Sequence, residues 1–133
     1  YMFNDAKPVT NIDSLIIPYK NKNYESIKEG VIIMFDVDTI GIVTKSNVWE
    51  PSSNIELNKI DSAIYVFDIV NKKYRETKND FEIDALEISK SIKEWQVMRL
   101  KLTNNAVNSR QYIMFSFDEN HKIKWKQFYF MVN

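Results

Sequence analysis

The sequence predicts an α+β domain: a predominantly antiparallel β-sheet of about seven strands, packed with one amphipathic helix over about residues 80–95. Three features carry that expectation. Short runs rich in Val, Ile, Tyr and Phe recur along the chain, clusters of Asn, Asp, Ser and Pro separate them, and a single stretch switches to a helical period.

Taken in order, residues 1–14 are polar, carry Pro8 and show no period, which predicts an extended arm ahead of a single domain over 15–133. Leu15 to Tyr19 is apolar but broken by Pro18, so an edge strand is the most it predicts. Asn21 to Glu29 fits a turn of helix ended by Gly30. Val31-Ile-Ile-Met-Phe35 is β-branched and aromatic, a buried strand, with Ile40 to Thr44 as its partner and Asp36 to Thr39 as the turn. Trp49 to Asn54 reads as a loop. Ala63 to Val70 is the strongest strand signal, and Asn71-Lys72 offers a tight turn into a polar edge strand, Lys73 to Thr77.

The helix follows. Asn79-Asp80 supplies an N-cap, and Glu82 sits in the first turn, where the helix dipole favours an anion. Phe81, Ala85, Ile88, Ile92 and Trp95 recur at helical spacing, while Glu82, Glu87, Lys90 and Lys93 fall away from that face. The alternation Phe81, Ile83, Ala85 also fits the start of a strand. Val97 to Leu102, Gln111 to Phe117 and Ile123 to Val132 read as the last strands, with turns at 104–109 and 118–121.

Composition narrows the function. Lys and Arg total 18 and so do Asp and Glu, so the long-range field that draws a chain to nucleic acid is missing, and nucleic acid is not the expected partner. With no cysteine there is no disulfide framework, thiol nucleophile or thiolate metal site, and no cofactor or metal is expected. No apolar run is longer than that of Val31 to Phe35, far short of a membrane span. Lysine outnumbers arginine 15 to 3 among 17 isoleucines and 14 asparagines, the usage of an AT-rich bacterium, phage or mobile element. A chain opening Tyr1-Met2-Phe3 fits an exported or periplasmic protein whose leader has been removed.

Candidate chemistry is sparse. The one histidine, His121, falls on a predicted hairpin tip among charges, where a solvated turn residue is expected rather than a general base. Asp36 and Asp38 follow a buried strand two residues apart. Turn-forming roles are expected, with a cation site or a catalytic carboxylate pair as the alternatives. Gly30 and Gly41 stand alone, so no glycine-rich phosphate cradle is built.

Aromatic residues are the distinctive feature. In the last strand Ile123, Trp125, Gln127, Tyr129 and Met131 share one face, and Lys124, Lys126, Phe128 and Phe130 the other, so both faces carry aromatics. Either both faces are covered by packing, or one is a binding surface. Glu94-Trp95, the strand after it, and the run from Phe117 through His121, Trp125 and Phe128 to Tyr129 resemble the C-terminal ends of immunity proteins that neutralise bacterial toxins. The resemblance covers under a third of the chain and assigns no functional residue, but it implies a protein partner. The expectation is therefore a non-catalytic protein-binding domain, an inhibitor or immunity protein acting on a toxin or enzyme by stoichiometric binding, with Trp49, Trp125 and Tyr129 as contact residues. A small carboxylate-dependent hydrolase or a carbohydrate-binding domain is the alternative.

Overall fold

The central strand of the protein is the apolar run seen in the sequence. In a computed structural model, which describes residues 3–50, 53–57, 65–68 and 73–128, it forms β1, Val31–Val37. β-Branched and aromatic side chains favour the pleated conformation, and successive ones alternate between the two faces. On one side β1 pairs antiparallel with β2, Val43–Glu50, so that Ile33 meets Val48. On its other side it pairs with β8, Ser109–Phe117, so that Ile33 meets Ile113.

From β1 the chain steps outward strand by strand. β2 pairs with β3, Ser53–Leu57, then β4, Tyr65–Asp68, and β5, Lys73–Glu76, complete a meander. The chain returns through helix α2, Asp80–Lys90, and a two-stranded sheet of β6, Met98–Arg99, and β7, Ala106–Val107. It then lays β8 against β1 and β9, Ile123–Phe128, against β8. Among the described residues the resulting sheet has seven strands in the order β5-β4-β3-β2-β1-β8-β9, all pairings antiparallel. The α+β class and the antiparallel sheet expected from the sequence are what the fold shows.

The core gathers on one face. Val31, Ile33, Phe35 and Val37 of β1, Val48 of β2, and Ile113 and Phe115 of β8 are buried together with Phe81, Ala85 and Leu86 of α2. Burying a large apolar side chain of this kind is worth about 1.5–3 kcal/mol, so this layer dominates the stability.

Several elements differ from expectation for local reasons. Leu15 to Tyr19 is no edge strand. A short helix α1, Ile12–Ile16, is capped by Asn11, whose side-chain oxygen accepts from the Ser14 amide at 3.1 Å. A 3₁₀ turn, Ile17–Tyr19, then places Pro18 where its missing N–H costs nothing. Helix α1 thus begins inside the predicted arm, whose residues Phe3 and Pro8 bridge to Leu100 and Trp95. Residues 21–29 form no helix, because Tyr24 is drawn into the core beside Phe81 and Phe117, with ring centroids at 4.9 and 5.7 Å.

Helix α2 stops at Lys90, short of residue 95. The Ser91 and Ile92 amides close a tighter turn onto Ile88 and Ser89. The backbone of 93–96 then bonds to Gly41 and Val43 on one side and to Lys7 and Val9 on the other. Ile92 and Trp95 are nevertheless buried, reached through this extended strip. Glu82 also departs from its expected outward position: it is buried and its Oε1 accepts from the Lys78 amide at 3.3 Å, part of the cap. The partner of β1 begins at Val43, since Ile40 and Gly41 form the turn. Trp49 and Asn54, expected in a loop, pair across a hairpin of β2 and β3. Of the strand expected over 63–70, the part at β4 is a strand; its ends and the Asn71-Lys72 turn lie outside the described residues. Only Met98–Arg99 of the run 97–102 is strand, and the expected turn at 104–109 supplies its partner, β7.

Candidate protein-binding surface

Alternation along four adjacent strands sorts side chains onto a second face, turned away from the helices. Ile32 and Met34 of β1 stand beside Met114 and Tyr112 of β8, and those in turn beside Lys126 and Phe128 of β9. Trp49 of β2 lies against Tyr112 edge to face, with ring centroids 6.3 Å apart. Met34 is buried within this layer, and Ile32, Trp49, Tyr112, Met114 and Phe128 are half-buried. None of the six belongs to the core cluster. The face therefore presents half-buried aromatic rings and Met114 around the buried Met34, with Trp49 and Tyr112 in contact, the composition that protein interfaces favour.

Charge frames this patch. Arg110 is exposed and its Nε donates to Asp36 Oδ1 at 2.9 Å, and that carboxylate holds the guanidinium more firmly charged than usual. Lys124 and Lys126 are exposed along β9, and Lys45 stands on β2 in register with Asp36. Around the patch, on β2, β1, β8 and β9, the described charged side chains of this face are Lys45, Arg110, Lys124 and Lys126 against Asp36, and the register adds Glu76 on the far strand β5. The chain is neutral as a whole, and the helical layer carries the balancing acids Asp80, Glu82, Asp84 and Glu87.

Of the expected contact residues, Trp49 stands on this face. Trp125 belongs to the opposite one. Its ring packs at the margin of the core, and its Nε1 donates to Asp13 Oδ1 at 2.7 Å. The structure thus separates Trp49 and Trp125 by the thickness of the sheet, and they do not share one flat contact. Tyr129 lies outside the described residues. Met34, Met114, Tyr112 and Phe128 complete the patch without having been named as contact residues. The signal for them was the alternation through Val31 to Val37, where Ile32, Met34 and Asp36 share one side.

The carboxylates weighed for catalysis have structural partners. Asp36 pairs with Arg110, while Asp38 Oδ1 accepts from the amides of Ile40 and Ile42 at 3.0 and 2.9 Å, folding the β1–β2 turn. Asp118 folds the β8–β9 turn in the same way, accepting from Asn120 and Lys122 at 2.8 and 3.0 Å. The Lys122 amide, followed by that of Asn120, holds the Asp118 carboxyl below its usual range. His121 is exposed in that turn with φ 60°.

A buried polar cluster joins the segment before β1 to helix α2. Asp84, almost wholly buried, accepts from Tyr24 Oη at 2.6 Å and from Lys22 Nζ at 2.9 Å. Tyr19 donates to Glu87 at 2.8 Å. Burial, reinforced by Glu87, pushes the Tyr19 phenol up to about 12. Burial and the bond to Asp84 carry Tyr24 well above the usual phenol range. Both phenols therefore stay protonated as donors and tie the layers together; neither offers a base at neutral pH. Among the described residues no group of His, Asp and Glu could hold a metal ion, and no helix is long and apolar enough to cross a membrane. Comparison with family models, with curated proteins and with solved structures finds no match.

Proposed function

We propose that the chain is a non-catalytic protein-binding domain, a stoichiometric inhibitor or immunity protein for a toxin or enzyme, and that it meets its partner through the open face of the sheet. The observation that carries this reading is the half-buried patch of Trp49, Tyr112, Met114 and Phe128 on the side away from the core. Large apolar side chains left at a surface in contiguity, rimmed by polar groups, mark interaction sites. The rim of lysines and arginine suits a partner whose contact is apolar at its centre and acidic around it. Rings already wedged against one another lose little side-chain freedom on docking, which limits the entropic cost of association.

The commitment of Asp36, Asp38, Asp84 and Asp118 to ion pairs, turns and buried bonds supports binding over carboxylate catalysis. The experiment is titration calorimetry against the product of the gene beside this one, with single-stranded oligonucleotides as the contrasting ligand. Saturation at one to one by the protein is expected. Preferential binding of the oligonucleotide, or turnover of a sugar, ester or nucleotide by the purified chain, defeats the proposal.

A further inference from the structure

We infer that the outer edge of β9 is a docking site for an extended segment of a partner protein, one that alternates apolar and acidic residues and adds an eighth strand to the sheet. This rests on the protein-binding reading above and adds a second, contiguous surface to it. In an antiparallel ladder, residues alternate between those bonded to one neighbour and those whose N–H and C=O groups point the other way. The Asp118 amide bonds to the Lys122 carbonyl at 2.8 Å, and Ser116, Met114 and Tyr112 pair in step with Lys124, Lys126 and Phe128. The N–H and C=O groups of Ile123, Trp125 and Gln127 therefore face outward. No described backbone or side-chain group bonds to them, and β9 ends the sheet. A row of outward donors and acceptors at strand spacing is matched by an extended main chain.

A groove of about 460 Å³ runs beside this edge, between β9 and the N-terminal arm. The arm is pinned beneath the edge by Trp125 Nε1 on Asp13 and by Gln127 Nε2 on the Ala6 carbonyl at 2.7 Å. It forms a ledge on which Pro8 and Val9 line the groove, with Val9 exposed. One side of an added strand would lie over Val9, Pro8 and Trp125, which selects apolar residues. Its other side would stand across from Lys124 and Lys126, which selects Asp and Glu, since opposite charges facing each other across strands attract. A second copy of this chain is the poorer occupant. Edge-to-edge pairing of two β9 strands would bring those lysines against their own kind, a standard safeguard against self-pairing.

The test uses the full chain and two octapeptides blocked at both ends, one of alternating valine and glutamate and one of alternating valine and lysine. Amide exchange is followed by NMR. The glutamate peptide should slow exchange of the Ile123, Trp125 and Gln127 amides by about tenfold or more at saturation, and the lysine peptide should not. The double variant Lys124→Glu, Lys126→Glu should invert the preference between the peptides. Absence of protection by either peptide, or equal protection by both, overturns the inference. So does protection that rises with protein concentration alone, which would identify a second copy as the occupant. Peptide effects confined to Trp49 and Tyr112 would also overturn it, and would leave the open-face reading standing.

Discussion

Two hairpin loops of this protein are built on one plan. Asp38 to Ile42 and Asp118 to Lys122 each place an aspartate whose oxygen accepts two amides, and each closes with an amide-to-carbonyl bond four residues apart. Both require a left-handed residue at the fourth position, supplied by Gly41 at φ 87° and by His121 at φ 60°. Glycine adopts that conformation freely, while a residue with a Cβ is strained by about 1–2 kcal/mol. His121→Gly should therefore raise stability by about 0.5–1 kcal/mol, the extra freedom of glycine in the unfolded chain offsetting part of the relief. Gly41→Ala should lower it by about 1–3 kcal/mol, because an added Cβ would also run into the Trp95 carbonyl. Urea midpoints at unchanged slope measure both, and a stabilised Gly41→Ala would contradict the shared plan. That His121 sits in a turn was legible from its charged neighbours. That it takes the glycine position was not, since a histidine gives no local sign of positive φ.

At the level of elements, α2 and the strip after it hold the sheet from one side. Ile92 is buried although the helix has already ended, so Ile92→Ala should cost about 2–5 kcal/mol through lost burial and the cavity left behind. A change under about 1 kcal/mol would show that the strip packs loosely. The Lys22, Tyr24 and Asp84 cluster gives the same layer an alkaline limit. A phenol whose folded pKa is raised contributes stability that is complete below its unfolded value near 10 and declines as pH rises toward the folded one. Stability should accordingly fall between pH 10 and about 12, where Tyr19 ionises in the folded chain and Tyr24 remains protonated. Tyr24→Phe should lower stability at pH 7 and flatten that decline, and melting curves at a series of alkaline pH values would show it. Equal declines for the variant and the parent would mean that the Tyr24 phenol does not couple to folding. The helical period from Phe81 to Trp95 identified the buried residues correctly and the helix length incorrectly. Periodicity reports which side chains face the core, whereas the end at Lys90 is set by backbone bonds from Gly41 and Val43 that lie far away in sequence.

Across the whole molecule, the sheet is a meander from β1 to β5 closed by a return that lays β8 and β9 on the other side of β1. The strands at β1, β4, β5, β8 and β9 were readable from β-branched runs and turn clusters, whereas β3 and β7 fall where loop or turn residues were read. Strand order was not readable, because no local residue records that Ile113 will stand beside Ile33. The same gap governs the candidate site: Trp49 was named as a contact residue but read as part of a loop, and its meeting with Tyr112 depends on two long-range pairings. That topology keeps the described helices to one face and leaves the other to the patch around Trp49, Met114 and Phe128, with lysines along its margin. The most direct test is a calorimetric titration of the parent and of Trp49→Ala with the protein captured on the immobilised parent chain from extract of the source cell. A one-to-one complex weakened by about 2 kcal/mol or more is expected if this ring anchors the contact, with circular dichroism and melting of the variant close to the parent. Unchanged affinity in a folded Trp49→Ala variant would show that the partner binds elsewhere on the molecule and would contradict the open-face account.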